Sequence, residues 1–323
     1  MTLILLQIVI YNAKALVTGH LQIKYLNKNS SEPAKGVSDR IDARMRLTLI
    51  LKSMKSVSQK DTLAKYYSSL QGWVYKQKLA NSVFSGLHKK KGYKHFCLSN
   101  LIGVRSNTVK QDYAYKITIS SPNKELVNVI KNNLKEGEII NLGEYSFELM
   151  RFYDYDVNLD NFSVIETPSI IVVTEHLKGN GSKKEGIKSL DFLKKGEKER
   201  YLYLLRRNLI KKYNSFNGQK INEDYDLWKN VAVEPILKGK YSIYCEPLNF
   251  KFIGNKLRFK LGYMDEIQKK VFNFGLDAGF GGYNSYGMGW MVENRNIKVN
   301  ELILNDKKVV INKYGFIVRE NLR

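Results

Sequence analysis

Residues 279–289 read Gly-Phe-Gly-Gly-Tyr-Asn-Ser-Tyr-Gly-Met-Gly, with five glycines in eleven positions, and this stretch decides the fold that we predict. Before it, Asp265 is placed to cap a helix that runs through Phe274. After it, Gly287–Glu293 alternates in hydrophobicity and predicts a strand. The order of elements is therefore helix, glycine loop, strand.

This order and the spacing of the glycines exclude two phosphate-binding loops. A dinucleotide-binding loop follows a strand and opens a helix, whereas this loop follows a helix, and Asn284 stands where the third glycine belongs. No Gly-Lys-Ser/Thr follows, so a P-loop is excluded as well. What remains is backbone without Cβ atoms, which lets another chain approach closely and can bind an anion. The alternative is a glycine-rich hairpin or bulge that binds no ligand.

The charge balance predicts a polyanionic partner. The 323 residues hold 53 lysines and arginines against 31 acids, a formal net charge of +22. Such a chain attracts nucleic acid, because each neutralised phosphate releases counterions, and a membrane surface is the competing anion. The 21 tyrosines offer faces on which unpaired bases can stack, although most are expected to fill the core.

The sequence predicts no metal site and no cofactor. Cys97 and Cys245 form no CxxC pair, and the four histidines have no metal-binding spacing to one another or to a cysteine. The acidic stretch Asp154–Asp160 fails the calcium-loop pattern, because Leu159 stands at the glycine position. The cysteine usage fits a reducing, cytoplasmic compartment.

Residues 1–44 differ from the rest and are predicted to be an N-terminal extension. Leu3–Ile10 is apolar, but it is too short to span a bilayer and lacks the basic flank of a signal peptide. Residues 26–40 are polar and predict a linker, and a clear strand begins at Met45. Two hypotheses stand: a start codon chosen in error, with Met45 the true first residue, or an appended segment that packs on the core.

Residues 45–160 predict a ferredoxin-like domain, the arrangement found in RNA-recognition modules. The elements follow the order strand, helix, two strands, helix, strand. Their predicted segments are 45–51, 60–76, 96–104, 113–120, 121–134 and 144–154.

The same order is predicted to recur in residues 161–323. The segments are a strand at 169–174, a helix at 190–213, strands within 232–262, a helix at 265–274, the glycine loop and a strand at 287–293. The basic residues of the helix at 190–213 face either RNA or water, and solvation is the expectation for each of Arg206, Arg207, Lys211 and Lys212. The tail after residue 296 is predicted to add strands. The fold class is therefore α+β, with two tandem ferredoxin-like units and a C-terminal glycine-rich loop.

A second informative stretch, His88-Lys-Lys-Lys-Gly-Tyr-Lys94, is basic and leads into the strand predicted to begin at Phe96. The glycine loop has the pattern Gly-x-Gly-x5-Gly-x-Gly and follows a helix near the C terminus. In this it resembles the signature loop of the Cas-six family, the CRISPR-associated endoribonucleases that cut precursor CRISPR RNA within its repeats. The resemblance covers residues 45–293.

The resemblance implies which side chains are catalytic. In that family a tyrosine ends the first long helix, a histidine follows a second helix, and a lysine lies just before a Lys-x-Phe-x-x-Ser-like strand. These positions fall on Tyr75, His88 and Lys94. The residues predicted to bind RNA are Lys89, Lys90, Lys91, Gly279, Gly281, Asn284, Ser285, Gly287 and Gly289.

The predicted chemistry uses the nucleophile that RNA itself carries. A base removes the proton from a 2′-OH, the oxygen attacks the adjacent phosphorus, and the products are a 2′,3′-cyclic phosphate and a 5′-OH. Histidine suits acid or base work, lysine stabilises the developing charge, and Tyr75 orients the phosphate or shares the proton transfer. No metal is required, and the resemblance implies the same metal-independent mechanism.

Each predicted catalytic residue has a structural alternative. His88 is then a surface histidine in a lysine-rich turn, Lys94 only binds phosphate, and Tyr75 is a core residue. His95 lies at the start of a strand and is not expected to be catalytic.

The predicted partner is CRISPR repeat RNA, with other CRISPR effector subunits as further candidates and no membrane. The chain is expected to be a monomer or a homodimer. Two alternatives stay open: a non-catalytic repeat-RNA-binding protein of the same fold, and a peripheral membrane protein that uses residues 1–18.

Overall fold

A computed structural model describes residues 45–58, 63–104, 107–160, 163–177, 186–237, 239, 241–245 and 250–294, with three further strand segments near the C terminus. The predicted N-terminal extension, residues 1–44, lies outside the described residues. The chain divides into one unit at Met1–Asp39 and another at Arg40–Arg323, so every element described below belongs to the second unit.

The first half of the chain forms a five-stranded antiparallel sheet with two helices. Its elements are β1 (Met45–Ser53), β2 (Val57–Ser58), α1 (Leu63–Trp73), β3 (Cys97–Leu98), β4 (Thr108–Val109), β5 (Ala114–Ser121), α2 (Lys124–Asn132), β6 (Ile139–Leu142) and β7 (Tyr145–Tyr155). A π-helical turn, Val74–Lys78, continues α1. The strand order is β3–β5–β1–β7–β6, so β1 is central. Leu47 and Leu49 of β1 share one core with both helices.

The second half forms a four-stranded antiparallel sheet, again with two helices. Its elements are β8 (Val164–Glu166), β9 (Thr174–Leu177), β10 (Gly186–Ser189), α3 (Lys198–Asn217), β11 (Val231–Pro235), β12 (Tyr241–Cys245), β13 (Phe250–Gly254), β14 (Leu257–Leu261), α4 (Glu266–Ala278), β15 (Val292–Glu293), β16 (Glu301–Leu304), β17 (Lys307–Ile311) and β18 (Ile317–Glu320). The strand order is β11–β14–β8–β15. These elements and the antiparallel sheets confirm the predicted α+β class.

Local sequence fixes the ends of the helices. The Asn123 side chain accepts hydrogen bonds from the backbone of Glu125 and Leu126, which starts α2. Asp265 and Gln268 form a capping box at the start of α4, as the predicted cap requires. α3 ends at Gly218, whose φ of 66° suits glycine.

Several predicted boundaries are wrong. Of the predicted strand 96–104, Cys97–Leu98 forms a strand and Ile102 forms an isolated bridge to Lys116. Of 287–293 only Val292–Glu293 is a strand, because glycines with positive φ interrupt that segment. Instead of 169–174 the structure has strands at β8 and β9, and Ile171 and Val172 form only isolated bridges. α3 begins eight residues later than predicted, and α4 continues four residues past Phe274.

One buried arginine links the two halves of the chain. Arg46 of β1 is 2 % exposed, and its Nε donates to Asp277 Oδ1 at 2.8 Å. Its other nitrogens donate to the carbonyls of Leu276 at 2.6 Å and Met291 at 3.0 Å. A buried guanidinium is tolerated only when it is paired and hydrogen-bonded in this way. Arg46 therefore fixes both sides of the glycine loop against the first sheet.

We predict that Arg46→Met lowers the free energy of unfolding by about 3–5 kcal/mol, because it leaves a buried carboxylate without its cation. Lys52→Met is the matched control. Lys52 lies on the same strand, but its pair with Asp112 is at the surface, with the lysine 37 % exposed. Its loss should cost less than about 1 kcal/mol. Urea denaturation of both variants measures the difference, and equal losses would contradict the assignment.

Candidate active site

Three predicted catalytic side chains line one cleft of about 730 Å³. α1 and its π-helical turn contribute Gln71 and Tyr75, and the segment after them contributes His88 and Lys94. The opposite wall includes Ser285 of the glycine loop. Residues that lie more than 200 positions apart in sequence therefore face one another in this cleft.

Tyr75 forms the floor of the cleft and keeps its proton at neutral pH. The ring is 9 % exposed and contacts the rings of His88 and Phe96, each at 5.8 Å between centroids. Burial raises the pKa of Tyr75 to about 12, although proximity to the Ser285 hydroxyl opposes this shift. The Tyr75 hydroxyl makes no hydrogen bond of good geometry within the described residues. It is therefore a buried hydrogen-bond donor that keeps its proton.

His88 is exposed and has one ring nitrogen held by the backbone. Nδ1 lies 3.2 Å from the carbonyl oxygen of Ser85. Because a carbonyl oxygen can only accept, this contact assigns the proton of the neutral ring to Nδ1. Nε2 then carries the lone pair, which is the form that a general base needs.

Lys94 ties down the turn that carries His88. Its ammonium donates to the carbonyls of Leu87 at 2.7 Å and His88 at 3.2 Å, and also to that of Lys90. Burial and the neighbouring charge of Lys90 lower the pKa of Lys94. All three ammonium protons are thus engaged with backbone, so one contact must be exchanged before Lys94 can bind a phosphate oxygen. The adjacent Lys89, Lys90 and Lys91 are exposed.

The glycine loop, residues 279–289, needs its glycines for its own fold. The four glycines predicted to bind RNA all have positive φ: Gly279, Gly281, Gly287 and Gly289. A Cβ atom on Gly289 would lie 1.8 Å from the Phe280 carbonyl oxygen, and one on Gly287 would lie 2.4 Å from the Tyr67 ring. A side chain at either position is disfavoured by backbone conformation and by space.

A buried lysine that sequence reasoning placed in solvent lies beneath this loop. Lys212 of α3 is 3 % exposed, which corrects the expectation that it is solvated. Its Nζ donates to the carbonyls of Gly279 at 2.9 Å and Gly281 at 2.5 Å, and to Asn284 Oδ1 at 2.6 Å. Burial lowers the pKa of Lys212 to about 7. Lys212 stands fourteen residues after the first residue of α3, and nothing in the neighbouring sequence indicates that it is buried beneath the loop.

Asn284 has an inward-facing side chain. Its amide nitrogen donates to the carbonyls of Phe280 at 3.1 Å and Met288 at 2.8 Å, while its oxygen accepts from Lys212. Ser285, the next residue, points into the cleft, where its hydroxyl accepts a hydrogen bond from Gln71 at 2.9 Å. Of these two residues predicted to bind RNA, only Ser285 offers its side chain to the cleft.

A second cleft of about 590 Å³ adjoins the first and shares Lys94 and Ser285 with it. His95 lies here, with a φ of 53° and Nε2 3.2 Å from the Ser215 hydroxyl. Burial, and the charges of Lys212 and Lys90, lower the pKa of His95 to about 4. His95 is therefore neutral at physiological pH and packs against Phe216.

The described residues hold neither a metal-binding cluster nor a membrane-spanning helix. No cluster of three or more histidine, cysteine, aspartate or glutamate side chains there is arranged to hold a metal ion. None of the described helices is long and apolar enough to cross a membrane.

Comparison with solved structures identifies the class of fold. A structure described as an RAMP protein binding different RNA substrates superposes with a TM-score of 0.61 at 19 % identity, covering 77 % of this chain and 99 % of that one. A CRISPR-associated protein Cas6 gives a TM-score of 0.59 at 20 % identity, covering 78 % of this chain and 99 % of that one. The fold is that of the CRISPR-associated RAMP and Cas6 proteins.

Sequence comparison finds the same family. The family profile described as CRISPR-associated protein Cas6, C-terminal, matches residues 153–294. The CRISPR-associated endoribonuclease Cas6 2 of Methanocaldococcus jannaschii is 26 % identical over 253 residues, which cover 76 % of this chain and 98 % of the relative. Residues 153–294 thus match the C-terminal part of the Cas6 family, and most of the chain is similar to Cas6 endoribonucleases, the family that the glycine loop and the His88 turn resemble.

The packing of the glycine loop predicts that Gly289→Ala lowers the free energy of unfolding by about 2–4 kcal/mol, because the new methyl group meets backbone in a left-handed conformation. Gly282→Ala is the control in the same loop, since its Cβ would lie 3.7 Å from the nearest atom, the Val172 carbonyl oxygen. The control should change stability by less than about 1 kcal/mol. Chemical denaturation compares the two, and a tolerant Gly289 would refute the loop conformation.

The depressed pKa of His95 predicts loss of stability in acid. The folded protein keeps His95 neutral down to about pH 4, whereas the unfolded chain binds a proton near pH 6.5. The stabilising contribution is complete above pH 6.5 and is lost as the pH falls toward 4, by at most about 1.4 kcal/mol per pH unit.

His95→Gln should remove that part of the pH dependence, measured by urea denaturation between pH 4 and pH 7. His176→Gln is the control, because His176 is exposed. If wild type and His95→Gln lose stability in parallel, His95 is not the group that takes up the proton.

Proposed function

We propose that this protein is an endoribonuclease that binds CRISPR repeat RNA and cleaves the precursor transcript within the repeats, by metal-independent attack of a 2′-OH. The observation that carries the proposal is the cleft in which Tyr75, His88 and Lys94 meet Ser285 of the glycine loop. The names of the relatives, which include two CRISPR-associated endoribonucleases Cas6 of M. jannaschii, support the same activity.

The domain organisation belongs to the proposal. Residues 45–160 and 161–323 form two tandem ferredoxin-like units, with additional strands in the C-terminal one. In support, β1, β3, β5 and β7 follow the spatial order 2-3-1-4 when numbered by sequence, and β8, β11, β14 and β15 follow the same order. In each unit one helix follows the first strand and the other follows the third. Sheets of this topology occur in RNA-recognition modules.

In the proposed reaction, His88 is the general base. Its Nε2 takes the proton of the 2′-OH, and the freed oxygen attacks the adjacent phosphorus. The P–O5′ bond then breaks, leaving a 2′,3′-cyclic phosphate on one fragment and a 5′-OH on the other. The Ser85 carbonyl favours this role, because it orients the ring and stabilises the cation that forms when Nε2 gains its proton.

Tyr75 and Lys94 act on the phosphate. Because its pKa is raised to about 12, the Tyr75 hydroxyl remains protonated and can donate to a phosphate oxygen or to the leaving 5′ oxygen. A phosphate oxygen replaces one of the carbonyl contacts of Lys94, whose charge then stabilises the phosphorane. Each group stabilises negative charge that develops in the transition state, and interactions made in the transition state raise the rate.

RNA binding is proposed to use the exposed Lys89–Lys91 turn and the glycine loop. Lysines bind phosphates without regard to sequence, so the turn holds the strand beside His88. Ser285 contacts the RNA within the cleft, while Asn284 and the four glycines shape the loop. The protein is proposed to act as a monomer or homodimer in the cytoplasm, with other CRISPR effector subunits as further partners.

The test is cleavage of end-labelled repeat RNA by purified protein in excess EDTA. We expect wild type to cut the all-RNA strand and to leave the strand with a 2′-deoxy substitution at the scissile position intact. His88→Ala should reduce the single-turnover rate by about 10²–10⁴-fold, because general acid–base catalysis contributes that much, while the Kd for RNA changes by less than about threefold.

His95→Ala is the control, since His95 is neutral and packed against aromatic rings. It should cut within about threefold of wild type once both are folded. Tight binding by wild type without cutting would favour the alternative, a non-catalytic repeat-RNA-binding protein of the same fold. Cutting that EDTA abolishes would contradict the metal-independent mechanism.

A further inference from the structure

The buried ammonium of Lys212 lies between α3 and the glycine loop, where Lys212 lines the second cleft and not the catalytic one. It has no carboxylate partner among the hydrogen bonds described, and all three protons go to oxygens of the loop. A buried charge held only by neutral oxygens costs desolvation energy, which is why its pKa falls to about 7. The hydrogen bonds to the three loop oxygens offset this cost, because each buried oxygen needs a donor.

The contacts of Lys212 extend through Asn284 to the whole loop. Lys212 binds two loop carbonyls directly, and Asn284, which it also binds, holds those of Phe280 and Met288. The next residue in the chain is Ser285, which faces Tyr75 and accepts from Gln71 across the cleft. The position of the Ser285 hydroxyl therefore depends on the position of the Lys212 ammonium.

We propose that Lys212 is a positioning residue for RNA cleavage: its ammonium holds the glycine loop in the one conformation that places Ser285 beside Tyr75 in the catalytic cleft. This inference rests on the proposed function, because it concerns the geometry of the same reaction. Lys212 touches neither the RNA nor the reacting atoms, and it acts through Asn284 and the loop backbone.

The test is a double-mutant cycle between Lys212→Met and Ser285→Ala, read as single-turnover cleavage at saturating RNA. Methionine keeps the length of the side chain and removes all three donors. We expect Ser285→Ala to slow wild type about tenfold, as the loss of a hydrogen bond in a desolvated site does, and Lys212→Met to slow it at least as much. In the Lys212→Met background, Ser285→Ala should have less than about a twofold further effect.

Lys211→Met is the matched control on the same helix, because Lys211 is 46 % exposed and pairs with Glu223 at the surface. It should leave the saturated rate within about twofold of wild type. Amide hydrogen exchange then separates positioning from global stability. In Lys212→Gln, which keeps one donor group, exchange should accelerate in residues 279–289 and stay unchanged in β1.

The outcomes are distinct. If wild type does not cleave, the proposed function fails. If wild type cleaves but Ser285→Ala lowers the cleavage rate by the same factor in the wild-type and Lys212→Met backgrounds, the inference is overturned. Lys212 then only stabilises the fold. Where Lys212→Met does not fold, Lys212→Gln replaces it in the cycle, and acceleration of exchange throughout that variant would overturn the inference as well.

Discussion

Two buried cations satisfy the backbone carbonyls of the segment around the glycine loop, and the arrangement of the site depends on them. Arg46 comes from the first sheet and binds the carbonyls of Leu276 and Met291, on either side of the loop. Lys212 comes from α3 and binds carbonyls within it. A loop this rich in glycine has little conformational preference of its own, so its shape must be imposed by donors from outside. Carbonyl groups that are buried and turned inward need such donors, and a cation supplies several from one side chain.

The elements that carry these cations determine how the two walls of the cleft are held together. Arg46 lies near the start of β1, so the loop of the second half is fixed to the central strand of the first sheet. Tyr67 of α1 packs against the position of Gly287, and the same helix ends at the turn that carries Tyr75. The two walls of the cleft are thereby held by one set of contacts. Catalysis that depends on a positioned base and a positioned phosphate requires this rigidity, since a small displacement of either lowers the rate steeply.

The parts of this architecture that sequence could predict are those with a local signal. The capping residues of α4 and the α+β class follow from short-range patterns. The predicted strand boundaries are wrong where tertiary contacts determine which residues pair. Cys97–Leu98 pairs with β5 and Ile102 adds an isolated bridge to Lys116, while Leu101 is held by packing, so hydrophobicity alone overestimated the strand. The expectation that Lys212 is solvated was wrong for a similar reason. A lysine on a basic helix is usually solvated, and the acceptors of Lys212 lie 67 to 72 positions away in sequence.

His88 and His95 show how environment separates two residues that sequence places side by side. Both lie in one basic segment, and both are within reach of lysines. His95 is packed among aromatic rings with its Nε2 at Ser215, and Lys212 and Lys90 further disfavour its charged form, so its pKa falls to about 4. A residue with so low a pKa is a weak base and a poor acceptor for the proton of a 2′-OH. His88 is exposed, and its Nδ1 contact with Ser85 leaves Nε2 free to face a substrate in the cleft. The Lys94 ammonium holds the turn that presents this ring, so the residue proposed to stabilise the phosphorane also orients the base.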